Sequence, residues 1–282
     1  MDIRDWIVAL ILGFVEGMTE FAPVSSTGHM IIVDDMLFKS AALLGSQEVA
    51  NTFKVVIQLG SIMAVVIVFW SRLWSLVGVK VGRTNTSSHG SHLRLSHVIV
   101  GLIPAAVLGL AFEDVIDKYL FRIETVLLAL VAGAILMLVA DRQSKKERNF
   151  RGNSLDEITY RQAFLIGLFQ CISLWPGFSR SGATISGGVL MGLKHRAAAD
   201  FTFIMAVPIM FGASAVSLLK KWDVMTLDVL PFFIVGFISA FVFAWVSIRF
   251  FLALISRVKL RPFAIYRILL AIVLAVVYYS VG

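Results

Sequence analysis

An internal disulfide framework is closed to this chain. Cys171 is its one cysteine among 282 residues, so no intrachain bridge can form and a cysteine-rich metal centre is excluded. Charge is also scarce. Charged residues make up 15% of the chain and apolar ones 59%, with a mean hydropathy of +0.88, whereas a soluble domain carries about 25% charge. That excludes an ordinary soluble domain and implies a polytopic membrane protein. The net charge of +7 is not read as a nucleic-acid signal, because basic residues of membrane proteins gather in cytoplasmic loops. The opening MDIRDW lacks a basic n-region and an A-x-A-like site, so no cleaved signal peptide is expected.

Two polar stretches interrupt the apolar sequence: EGMTEFAPVSSTGH, Glu16 to His29, and QCISLWPGFSRSGAT, Gln170 to Thr184. A shift of 154 residues carries Gly13 to Gly167, Glu16 to Gln170, Ser25 to Ser179, Ser26 to Arg180, Thr27 to Ser181 and Gly28 to Gly182. They read as one device written twice. Irregular polar backbone is tolerated at membrane depth only where protein or a wet cavity satisfies it, and a duplicated pair points to a binding site built by two repeats.

A spanning helix needs roughly 20 apolar residues. Six candidates lie at about 53–70, 96–112, 124–140, 201–219, 231–250 and 263–280. Two further apolar regions, about 6–36 and 163–193, are broken by the polar motifs into pieces too short to span. They are read as re-entrant helix–loop–helix hairpins. The expected fold is an all-α polytopic membrane protein of two repeats, residues 1–145 and 146–282, each one hairpin plus three spans. Three is odd, so the second repeat is inverted with respect to the first. Ile99-Val100-Gly101 matches Ile234-Val235-Gly236, and Phe53 can be set against Phe201.

Arg72, Lys80, Arg83 and Arg94, then Arg142, Lys145, Lys146, Arg148, Arg151 and Arg161, then Lys194 and Arg196, then Arg257, Lys259 and Arg261 fall on one side of this topology. The positive-inside rule makes that side cytoplasmic. Asp34, Asp35, Glu48, Glu113, Asp114 and Asp117 fall on the other, and both termini come out extracytoplasmic. The stretch Thr84 to His92 reads as a flexible polar loop whose His89 and His92 are solvated. Trp70, Trp74 and Trp222 read as interfacial anchors, and Pro104 and Pro208 as helix kinks.

Glu16 and Glu20 stand one helical turn apart and so share a face. Ionisable groups in an apolar segment are costly and mark function. Two carboxylates at this spacing suit a hard divalent cation, Mg²⁺ or Ca²⁺, completed by water and substrate oxygens; the alternative is a polar helix face at a mouth of the bundle. Pro23 ends the first half-helix, and Ser25, Ser26 or Thr27 can cap the next, whose free N–H groups favour an anion. Ser26 or His29 is a candidate nucleophile or acid–base group, against capping plus a satisfied core histidine. The second motif puts Arg180 where the first has Ser26. Its planar fork clamps phosphate, unless it merely neutralises Glu16 or Glu20. Ser25, Thr27, Gly177, Ser179, Arg180, Ser181 and Thr184 are the expected substrate-binding set. All these groups favour a multiply charged anion at membrane depth, such as a lipid phosphate.

EGMTEFAPVSSTGH and PGFSRSGATISGG (Pro176 to Gly188) resemble the two signatures of the undecaprenyl-diphosphate phosphatase family, also called the bacitracin resistance protein family. VVIQLGSI from Val55 and PFAIYR from Pro262 to Arg267 extend the resemblance over nearly the whole chain. It implies removal of the terminal phosphate from undecaprenyl diphosphate, a divalent cation, a bacterial plasma membrane location with the active site facing the periplasm, and recycling of the lipid carrier for wall synthesis. The implied partners are the polyprenyl diphosphate and membrane lipids; a homodimer is compatible with this and nucleic acid is not expected. Glu16 and Glu20 would hold the cation. Ser26 is the first choice of nucleophile, with Glu20 or His29 as base; His29 itself and direct attack by water are the rivals. The reading from another class is a polyprenyl-phosphate flippase, since inverted repeats with a midplane site are the design of secondary carriers.

Overall fold

The computed structural model of the chain describes residues 2–79, 93–120, 122–146, 154–221 and 226–281. The polar loop Thr84 to His92 with Lys80 and Arg83 before it, the basic residues Arg148 and Arg151, and Trp222 lie outside the described residues, as do the side chains of Glu113, Asp117, Lys145 and Lys146.

Among the described residues every regular element is helical. The order is α1 (Ile3–Thr19), α2 (Ser26–Met30), a π-helical segment (Ile31–Phe38), α3 (Ser40–Leu43), α4 (Gln47–Val68), α5 (Trp70–Leu76), α6 (Leu95–Leu120) and α7 (Ile123–Lys146). After a short 3₁₀ turn (Leu155–Glu157) come α8 (Tyr160–Ile172), α9 (Arg180–Leu190), α10 (His195–Lys220), α11 (Leu230–Val258) and α12 (Arg261–Val281). Six of these are long and apolar enough to cross a membrane: Gln47–Val68, Leu95–Phe112, Ile123–Ser144, His195–Lys220, Leu230–Val258 and Arg261–Ser280. Five of them contain an expected span whole; the first ends at Val68, two residues short of the expected 53–70, because Phe69 leaves helical angles. The helices run further at several ends because polar residues such as Gln47 and Asn51 prolong the spiral beyond the apolar run. On α11 the exposed residues Ile234, Ile238, Val242, Val246 and Phe250 recur every fourth position, which is one helix face. An apolar stripe of that length facing outward belongs against lipid.

The two broken regions are helix–turn–helix, as expected. In one, α1 packs on α2 and on the π-helical segment; in the other, α8 packs on α9. A capping box starts α8, with Thr159 accepting from the Gln162 N–H.

The chain forms two compact units, and neither is one half of the sequence. The first comprises Met1–Ala22, Ser26–Val68 and Ala206–Phe251; the second comprises Pro23–Ser25, Phe69–Met205 and Leu252–Gly282. In the first, α1 lies on α11. A methyl at Gly13 would strike the Gly236 carbonyl and lie 2.7 Å from Ser239 Cβ, and one at Gly17 would lie 2.5 Å from the Ala240 carbonyl. Backbones this close need small residues at the seam. Two hydroxyls lace it: Ser239 Oγ donates to the Leu10 carbonyl at 2.7 Å and Ser247 Oγ to the Met18 carbonyl at 2.9 Å. Phe53 of α4 closes this core, 4.6 Å from Phe232 and 5.4 Å from Phe233 between ring centroids. Near its edge Lys54 Nζ bridges the buried Asp34 at 2.9 Å and Asp35 at 2.8 Å.

In the second unit, α8 lies on α6 with the same device: a methyl at Gly167 would strike the Gly101 carbonyl. At the end of α7 the buried Asp141 carboxylate accepts from the Leu260 N–H at 3.1 Å and the Arg261 N–H at 2.7 Å, and lies 2.7 Å from His195 Nε2. It thereby caps α12, whose first N–H groups have no intrahelical acceptor, and ties it to α10. Arg72 pairs with Asp156 at 2.8 Å.

Candidate active site

The first motif is built on the end of α1. Glu16 is buried at 6% exposure. Glu20 retains helical angles as the residue after α1, its N–H donating to the Glu16 carbonyl at 2.9 Å, so the two carboxylates share a face as expected. Pro23 then turns the chain, and Ser26 opens α2. Ser26 Oγ donates to Glu20 Oε2 at 2.8 Å. The structure thus joins a hydroxyl to the carboxylate that can take its proton. His29 lies three residues on, within α2, on the same side of the helix as Ser26.

Ser25, ahead of α2, has φ 70°. A positive φ in a residue other than glycine is rare and strained, and such residues cluster at functional sites. Ser179, ahead of α9, has φ 71°. The two motifs therefore share backbone as well as sequence.

In the second motif Ser179 caps α9, its Oγ accepting from the Gly182 N–H at 3.2 Å and lying 3.2 Å from Ser181 Oγ. Arg180 is the first residue of α9 and is partly exposed. Thr184 is fully buried; its Oγ1 donates to the Arg180 carbonyl at 2.8 Å and accepts from Thr202 at 2.9 Å. In this structure it fixes the first turn of α9. Gly177 has φ 91°, and a methyl there would lie 2.8 Å from the Val126 carbonyl of α7, so only glycine fits.

Gln170, the counterpart of Glu16, is buried at 2% exposure, and among the described residues neither of its side-chain polar atoms has a hydrogen-bond partner. Arg267 escaped the reading of candidate residues altogether. It is fully buried and its Nη2 donates to the Gly177 carbonyl at 2.9 Å. A signal was present: an arginine inside an apolar spanning run is itself a mark of function.

For a divalent cation the protein offers Glu16 and Glu20, with the Ser26 hydroxyl beside the latter. Among the described residues no group of three or more His, Cys, Asp or Glu could hold an ion. A sparse all-oxygen set fits a hard cation that keeps waters and shares the phosphates of its substrate.

The model of the family described as "Bacitracin resistance protein BacA" matches residues 9–273. The chain belongs to that family. It is 63% identical over 280 residues to a protein of Exiguobacterium sibiricum named undecaprenyl-diphosphatase, covering 99% of this chain and 100% of that one. Similar proteins of the same name occur in Anoxybacillus flavithermus, 63% identical over 280 residues (99% and 100% of the two chains), and in Bacillus subtilis, 60% identical over 277 residues (98% and 99%). The residues matched by the family model take in both motifs and five of the six long helices whole, with α12 as far as Val273.

Proposed function

We propose that this protein is an integral membrane phosphatase that hydrolyses undecaprenyl diphosphate to undecaprenyl phosphate and inorganic phosphate. It thereby recycles the lipid carrier of wall synthesis and confers resistance to bacitracin. One observation carries the reading: Ser26 Oγ donates to Glu20 Oε2 at 2.8 Å. A hydroxyl paired with a carboxylate is a nucleophile with its base, and a flippase needs neither. The full-length likeness to proteins named undecaprenyl-diphosphatase supports the substrate.

Glu20 takes the Ser26 proton as Oγ attacks the terminal phosphorus. The bond from that phosphorus to the bridging oxygen breaks, and the lipid monophosphate leaves. Water then attacks the phosphoserine, with His29 taking its proton, and inorganic phosphate departs as Glu20 returns the first proton to Ser26 Oγ. Arg180 and the N–H groups opening α9 take up charge on the transferred phosphoryl. Glu16 and Glu20 would hold the divalent cation, Mg²⁺ or Ca²⁺, whose chemistry is to draw charge from phosphate oxygens. The lipid tail remains among the apolar helices.

The finer architecture belongs to the same proposal. Residues 1–145 and 146–282 are inverted repeats, the basic residues lie in the cytoplasm, and the termini and the active site face the periplasm. The shared φ of Ser25 and Ser179 and the paired glycine contacts of α1 with α11 and of α8 with α6 support the repeat.

Release of the terminal phosphate from undecaprenyl diphosphate by detergent-solubilised protein is the test. Detergent abolishes sidedness but not hydrolysis, so a solubilised protein that binds the lipid and releases no phosphate is a carrier.

A further inference from the structure

Arg267 stands six residues into α12 with 0% exposure. A guanidinium taken out of water carries a large desolvation cost, which a well-placed carboxylate would offset. No such partner is present: among the described residues no ion pair includes Arg267. Its contacts are weaker. Nη2 donates to the Gly177 carbonyl at 2.9 Å and the Ala129 carbonyl at 3.3 Å, Nη1 approaches Met137 Sδ at 3.7 Å, and Nε has no partner.

The space is shaped for the guanidinium. A methyl at Gly133 of α7 would strike Nη2 and lie 2.7 Å from Nη1, and one at Gly182 of α9 would lie 2.9 Å from Nη1. Both glycines face the fork, and the strongest contact is to the turn that presents Ser179 and Arg180. An apolar side chain of similar volume would fill this place at no loss of stability, because replacing a buried charge in that way is neutral or stabilising. Stability therefore does not account for an arginine here.

We propose that Arg267 is the positioning residue of the second motif. It fixes the Gly177 carbonyl, and with it the turn from Pro176 to Arg180, and its uncompensated charge keeps that turn receptive to the diphosphate. The inference rests on the phosphatase reading for its substrate, but the positioning itself is open to a separate measurement.

Two readouts on the solubilised protein test it. Hydrogen–deuterium exchange follows the amides of Phe178, Gly182 and Ala183, which donate to Trp175, Ser179 Oγ and Ser179. Terminal-phosphate release gives kcat and KM. Arg267→Gln is expected to speed exchange in this turn on the order of tenfold, to lower kcat/KM on the order of 100-fold and to leave the melting temperature near that of wild type. Arg267→Lys, which restores the charge without the fork, should recover part of kcat/KM. Gly133→Ala, which crowds the guanidinium while leaving it in place, should loosen the same turn. Unchanged exchange and kcat/KM in a folded Arg267→Gln protein would overturn the assignment. Collapse of the fold in all three variants would do so too, by making Arg267 a structural residue only. A wild type that releases no phosphate sinks the phosphatase reading, while the exchange data still decide whether Arg267 holds the turn.

Discussion

Ser25 and Ser179 hold the same backbone φ, 70° and 71°, each one residue ahead of the helix that its motif opens. Glycine would adopt this angle without strain, whereas a serine pays about 1–3 kcal/mol. What serine adds is a hydroxyl, and at Ser179 that hydroxyl caps α9 through the Gly182 N–H at 3.2 Å. Ser179→Gly should therefore melt at or above the wild-type temperature, since relief of strain exceeds a cap loss of a few tenths of a kcal/mol. Ser179→Ala loses the cap and keeps the strain, so it should be the less stable by about 1 kcal/mol. Thermal denaturation of both proteins checks the order, and an equal loss in the two would mean that the φ is not strained.

The Ser26–Glu20 contact predicts the covalent intermediate. Substrate labelled on its terminal phosphate, quenched rapidly and mapped, should mark Ser26 with an acid-stable, base-labile phosphoester. Ser26→Ala should abolish the label, and Glu20→Gln should slow its formation by about 10²–10⁴-fold. Acid-labile label on His29 would transfer the role to the histidine. Inversion of configuration at the terminal phosphorus would assign the attack to water.

Glu16 and Glu20 predict a metal dependence of their own. If they hold the cation, Glu16→Gln should raise the Mg²⁺ concentration needed for half-maximal phosphate release on the order of tenfold. A titration curve unmoved in both the Glu16→Gln and Glu20→Gln proteins removes the metal-ligand assignment.

Arg180→Lys separates charge from geometry. Lysine keeps the charge and loses the paired donors, so kcat/KM should fall by about 10²-fold with helix content retained. Turnover like that of wild type would place Arg180 outside the phosphate-binding set.

Orientation is tested by a cysteine at each side, in a protein whose single native Cys171 is replaced. Lys146→Cys should react with an impermeant maleimide only from the cytoplasm and Asp117→Cys only from outside. The reverse pattern contradicts the inverted-repeat topology.

Much of the fold was legible because lipid asks a simple question of each segment. Six apolar runs of spanning length became six helices, and the two runs holding Pro23 and Pro176 became helix–turn–helix pairs. The pairing of Ser26 with Glu20 was foreseeable too, since both lie in one short motif. What escaped was whatever depends on distant sequence. Arg267 finds its acceptors 90 and 138 residues away, and nothing in PFAIYR names Gly177 or Ala129. The two compact units interleave the halves of the chain, whereas periodicity sees only neighbours. The π-helical segment Ile31–Phe38 was hidden because its apolar content suits an α-helix equally well.

The lacing of α1 to α11 sets an order of assembly. Leu10 and Met18 accept from Ser239 and Ser247, each 229 residues further along. At about 5–20 residues per second of synthesis, α1 waits on the order of ten to fifty seconds for that partner. Throughout that interval the glycine edge of α1 has no cover from α11. The helix that carries Glu16 is thus among the first to leave the ribosome and among the last to reach its final setting. A nascent chain arrested before α11 would hold every residue of both signatures and still lack the scaffold on which the first one rests.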